Sequence, residues 1–127
     1  MYSLIAILLL APGAPINRAD EPLTPVEARK YVGKEITVRM EVKTTKDRLE
    51  KRGEIYLDAE EDFKSEKNFA LVVTRKGAES LKAAGVADPA DYYKGKTVTA
   101  KGEVKEVDGV PRIEIDDAKQ VVEAKSP

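Results

Sequence analysis

Residues 35–44 alternate without a break. Ile36, Val38, Met40 and Val42 fall on one side, and Thr37, Arg39, Glu41 and Lys43 on the other. A period of two over this length is the signature of a strand with one buried face. Residues 97–107 repeat the pattern, with Val98, Ala100 and Val104 as the apolar set. The two stretches are copies of one another. Shifted by 62 positions they share Tyr31/Tyr93, Gly33/Gly95, Lys34/Lys96, Thr37/Thr99, Glu41/Glu103 and Val42/Val104. Each strand is therefore launched by a Gly-Lys turn, and two long strands of this kind imply a small sheet curled on itself.

The remaining elements are shorter. Residues 54–58 set Ile55 and Leu57 inward and Tyr56 outward, 69–74 form an apolar third strand, and 111–115 form a fifth. Asp108-Gly109 is a hairpin turn, because both positions of such a turn favour positive φ. Thr24-Pro25-Val26-Glu27 combines an N-cap, a first-turn proline and a capping-box glutamate. It predicts a short helix ending at Gly33 that docks Val26 and Tyr31. Residues 77–85 predict a second helix, with Ala78, Leu81 and Ala84 on one face. The stretches 44–53, 59–68 and 86–92 read as a basic loop, an acidic loop and a connection. The tail through Val121-Val122 is expected along the fifth strand. Gly102 sits where a closing sheet needs a bend, although Met40 holds the equivalent place in the first copy. Strand, strand, strand, helix, long strand, strand is the order of an OB fold. The expected architecture is mainly β: a five-stranded OB-fold barrel with a capping helix between strands 3 and 4 and a short N-terminal helix.

Charge and composition narrow the chemistry. The chain has 127 residues, one domain's worth, and 22 basic against 23 acidic side chains. It lacks the overall basic excess of a dedicated duplex binder. It has no Cys and no His, which removes thiolate nucleophiles, imidazole bases and Cys- or His-ligated zinc. Residues 1–19 carry a short apolar run (residues 4–11) followed by Pro12, Gly13 and Pro15. They read as a secretory signal peptide cleaved between 14 and 19, so a periplasmic or secreted protein is expected. A linker over 20–25 and an OB-fold domain over 26–124 complete the division, with no transmembrane span in the mature chain.

Residues 92–99 and 109–113, together with 53–57 and 68–72, resemble small exported bacterial OB-fold proteins described as nucleic-acid-binding-like. The resemblance covers residues 31–122 and rests on turn glycines, core aliphatics and the lysines beside them. It implies the fold and names single-stranded nucleic acid as a ligand. From the residues themselves, Tyr56 is the aromatic expected on the ligand-facing side of the second strand, joined by Phe69 if that ring turns outward. The loop cations Lys46, Arg48, Lys51 and Arg52, with Arg39 and Arg112 on neighbouring strands, complete the candidate ligand-binding set. Elsewhere the outward charges alternate in sign: Arg39, Glu41, Lys43; Lys101, Glu103, Lys105; Arg112, Glu114. This pattern favours lateral pairing over a single-sign groove. The expected function is a non-catalytic binding module with weak single-strand affinity. A protein or anionic-glycan partner is the alternative. A metal-dependent OB-fold hydrolase would need the carboxylates of 58–62 to converge, and their spacing implies no ligand set. No catalytic residue, metal ligand or cofactor is implied.

Overall fold

The computed structural model describes residues 21–124; the expected leader lies outside the described residues. The elements, in order, are β1 (Pro22–Leu23), α1 (Pro25–Ala28), β2 (Glu35–Glu41), β3 (Thr44–Arg48), α2 (Leu49–Arg52), β4 (Glu54–Asp58) and β5 (Ala70–Thr74). They continue with α3 (Arg75–Ala83), α4 (Pro89–Tyr93), β6 (Thr97–Val107), β7 (Val110–Ile115), a single 3-10 turn (Ala118–Gln120) and β8 (Val121–Glu123).

The strands make one mixed sheet in the order β1-β2-β6-β7-β5-β4-β3, with β8 added to β6. It is an open eight-stranded sheet rather than the closed five-stranded barrel expected from the pattern. The difference lies at Val42-Lys43, where the predicted first strand changes neighbours. Val42 N donates to Lys96 O (2.8 Å) and Val42 O accepts from Gly95 N (2.7 Å), whereas Lys43 N donates to Asp58 O (2.9 Å) on the other side. The predicted first strand thus ends as β2, and β3 forms from residues expected to be a loop; the two have no ladder between them but are joined by two residues. The sheet is rolled, and its seam is the chain itself. Two-residue β1 runs parallel to β2 and occupies its outer edge.

The repeat has a structural meaning. In the β2–β6 ladder Val38 lies opposite Ala100, its own counterpart in the repeat. The copies are therefore related by a local two-fold axis through that pair. The axis carries the Gly-Lys turns onto each other. Gly33 N donates to Val104 O (2.8 Å) and Gly95 N to Val42 O (2.7 Å); Val104 N donates to Lys34 O (2.9 Å) and Val42 N to Lys96 O (2.8 Å). Both glycines have positive φ, 89° and 85°, which is why glycine stands at both places.

The core is the predicted one. Ile36, Val38, Met40, Val42, Ile55, Leu57, Leu71, Val73, Val98, Ala100, Val104, Ile113 and Ile115 are all buried. Phe69 is also fully buried, so it is a core ring and not a surface aromatic. Helix α3 fills the predicted capping position between β5 and β6, N-capped by Thr74, whose hydroxyl accepts from Gly77 N at 3.1 Å. Gly77 lies directly on the β7 backbone: a Cβ there would sit 1.8 Å from Ile115 O.

Other expectations change in detail. The capping box of Thr24 and Glu27 forms, but α1 ends at Ala28; Ala28 is its buried residue, and Val26 is exposed. Residues 44–53 are a strand and a helical turn instead of a loop, and 86–92 contains most of α4, N-capped by Asp88. The tail pairs with β6 through Val121 opposite Ala100, not with the fifth strand, because both edges of β7 are taken by β6 and β5. At Gly102 β6 continues as a strand; the glycine is required there by contact, since a Cβ would meet Ile113 Cγ2 at 2.6 Å.

Candidate nucleic-acid interface

The outer face of β4, β5 and β7 holds a cleft of about 470 Å³. Its position follows from the registers. Asp58 lies opposite Ala70, and Ala70 opposite Arg112, so a small residue is flanked by two long polar ones on one face. Ala70 forms the floor. Lys46 and Arg48 of β3, Lys51 and Arg52 of α2, Tyr56 and Asp58 of β4, and Arg112 of β7 line the sides. Phe63 and Asn68 enter from the 59–68 loop, and Val107, Asp108 and Val110 from the β6–β7 hairpin.

Six of the seven residues expected from the sequence are therefore brought together: Lys46, Arg48, Lys51, Arg52, Tyr56 and Arg112. Arg39 is not. It is exposed on β2, opposite Thr99, in the part of the sheet that does not border the cleft. Five cations line the hollow against two carboxylates, Asp58 and Asp108. That local excess is hidden by the near-neutral total.

Arg112 and Tyr56 are less available than the sequence implied. Arg112 Nη1 sits 3.1 Å from Glu54 Oε2 and 3.5 Å from Glu114 Oε2, with little of its side chain exposed. Its guanidinium carbon is 5.9 Å from the Tyr56 ring centroid, and the Tyr56 hydroxyl donates to Glu54 Oε1. Burial pulls the Glu54 carboxyl up, but hydrogen bonds from Tyr56 and Arg112 outweigh it and hold the group below its ordinary range. This trio is a wall. The lateral pairing expected from alternating charges is present in the Lys105–Glu114 pair at 3.3 Å.

Lys46, Arg48, Lys51 and Arg52 stay exposed and enter no salt bridge among the described residues. They come from β3 and α2, a unit that bends over the cleft because Gly53, at φ 73°, ends the helical turn and returns the chain into β4.

The sequence reading missed Phe63, which is 47% exposed. Lys46 Nζ lies 5.1 Å from its ring centroid and Lys64 Nζ 5.8 Å. Its place is fixed by Asn68, a fully buried residue. Asn68 Oδ1 accepts from Ala59 N (3.0 Å) and Glu60 N (3.1 Å), and Nδ2 donates to Phe63 O (3.2 Å) and Asp58 Oδ1 (3.0 Å). Arg29, just after α1, donates to the Asn68 backbone carbonyl. The acidic loop is thus a compact turn folded around one asparagine. The one sequence signal for it was a lone Asn just before an apolar strand. Among the described residues, no group of acidic side chains is arranged to hold a metal ion.

No protein-family model matches the chain, and no curated protein does. Solved structures do. The OBody AM1L10 bound to hen egg-white lysozyme superposes with a TM-score of 0.52 at 14% identity, over 77% of this chain and 86% of that one. Asparaginyl-tRNA synthetase from Pyrococcus horikoshii superposes with a TM-score of 0.51 at 16% identity, over 86% of this chain. The chain spans about a quarter of that synthetase, 24%. At such identities the likeness is one of fold: a mainly β architecture similar to OB-fold domains.

Proposed function

We propose that this chain is an exported, non-catalytic OB-fold module that binds single-stranded nucleic acid weakly through the cleft on β4, β5 and β7. The observation that carries the reading is the convergence of four exposed cations and an exposed aromatic ring on one hollow. Lys46, Arg48, Lys51 and Arg52 would track phosphates, and the Phe63 ring offers a face on which a base stacks, an interaction worth roughly 1–3 kcal/mol. A tRNA synthetase among the structural neighbours supports a nucleic-acid ligand for this fold.

The affinity should be low. Asp58 and Asp108 oppose the cations, leaving two or three net phosphate contacts, and a single strand releases roughly 0.7 counterions per contact. The log–log salt slope should then be about −1.5 to −2, with dissociation constants in the high-micromolar range or above. Fluorescence anisotropy of a labelled ten-nucleotide strand at two salt concentrations measures both. Replacing Arg48 and Lys51 together by Ala should leave binding weak and almost salt-independent. An unchanged slope in that variant would show that the strand lies elsewhere.

A second reading has its own support. The OBody neighbour is bound to a protein, lysozyme, and this cleft mixes carboxylates and the apolar Val107 and Val110 with its cations. Absence of oligonucleotide binding at low salt would favour a protein or anionic-glycan partner.

A further inference from the structure

Asp58 is the unusual residue of the cleft. It is only 5% exposed, yet it carries a carboxylate at the border of the hollow. One oxygen, Oδ1, accepts from Asn68 Nδ2. Asp58 enters no salt bridge, and among the described residues no side-chain oxygen is both buried and unpaired. The second oxygen, Oδ2, accepts from no described residue and is therefore open to the cleft. Asn68 cannot contribute a group of its own, because Oδ1 and Nδ2 each already serve two partners. The side of the cleft thus presents an unfilled acceptor, held in place by a saturated amide.

Burial works against this carboxylate and pushes its pKa up, with the Asn68 hydrogen bond and the Lys46 charge only partly offsetting it. An acceptor kept charged at that cost favours a donor from the ligand, because a buried polar group left without a partner is penalised.

Resting on the single-strand reading above, we propose that Asp58 makes the cleft a base-selective subsite that takes cytosine in preference to uracil. Cytosine presents an N4 amino group at the place where uracil presents the O4 carbonyl, and a carboxylate accepts from the first and repels the second. The two bases have the same size and comparable stacking faces. Phe63 and the β3–α2 phosphate contacts therefore serve both; uracil offers the carboxylate its N3–H only with O4 brought up beside the same charge, whereas the cytosine N4 amino group meets it without that repulsion. Single strands are suited to such reading because their Watson–Crick edges are free.

The test compares ten-nucleotide oligodeoxycytidine and oligodeoxyuridine by fluorescence anisotropy at low salt, with wild type and Asp58→Asn. The expected result is about tenfold tighter binding of the cytidine strand by wild type. In Asp58→Asn, the preference should fall to about threefold or less, with uridine-strand binding tightening because the charge that opposes the cations and repels O4 is gone. Asparagine is isosteric and keeps an oxygen for Asn68, and a thermal melt of the variant checks its fold. Equal, measurable binding of both strands by wild type would overturn the base-reading role and leave the single-strand reading standing. A preference for oligoribocytidine over oligodeoxycytidine without discrimination between bases would also overturn it, since the oxygen would then accept from a sugar hydroxyl. Binding of neither strand would bring down the reading it rests on.

Discussion

At the scale of single residues, Asp58 and Asn68 do the most with the least. The pair closes the 59–68 loop, places Phe63 at the cleft and sets a polar side of it. A stability consequence follows from the raised Asp58 pKa. Well below its unfolded value the carboxyl is protonated in both states and the difference vanishes. Between the unfolded and the raised folded value the native state holds the proton more tightly, so stability declines as pH rises through that window. Above it the full penalty of a buried charge applies. Asp58→Asn should therefore raise the melting temperature at pH 7, and the gain should shrink as pH falls through the folded pKa. Thermal melts of both proteins from pH 3 to pH 7 measure this. A variant less stable than wild type at pH 7 would mean that Lys46 and the hydrogen bonds already compensate the charge.

At the scale of elements, two contacts set the geometry. Helix α3 can sit over the end of β7 only because Gly77 has no side chain; a Cβ would fall 1.8 Å from a backbone oxygen that cannot move aside. Gly77→Ala should cost about 3 kcal/mol or more despite alanine's better helix propensity. A denaturant titration showing a loss under about 1 kcal/mol would mean that α3 shifts freely. Gly102→Val should be milder, because the obstruction is an Ile113 methyl, but still above about 1 kcal/mol.

The same elements show what a sequence can and cannot reveal. The alternation in 35–42 and 97–104 was enough for the core, since burial on one face of a strand imposes a period of two. Residues 44–48 have no such mark. Thr44-Thr45-Lys46-Asp47-Arg48 is polar throughout and becomes β3 because β4 needs a partner along its whole length. That requirement is tertiary, as is the bend at Val42-Lys43 that opens the expected barrel into a rolled sheet. Helix α4 was read as a connection, although its Asp88-Pro89 pair matches the N-cap and first-turn proline of Thr24-Pro25. The choice between Phe63 and Phe69 as the surface ring was not legible, because it depends on the fold of the loop around Asn68.

At the scale of the whole molecule, a local two-fold duplication forms one side and an unrepeated half carries the cleft. The β2–β6 pair, with its reciprocal Gly-Lys clamps, is a symmetric scaffold whose outward charges alternate in sign. The cleft's cations come from β3, α2 and β7, outside the repeat. This division makes a prediction about where ligand acts, and an amide-correlated NMR titration tests it most directly. With unlabelled oligodeoxycytidine added at low salt, the largest shift changes should fall at residues 46–58, 63, 68, 108 and 112. Residues 35–41 and 97–103, Arg39 included, should stay near their free positions. Changes centred on β2 and the first half of β6 instead, with the cleft residues unmoved, would contradict the account.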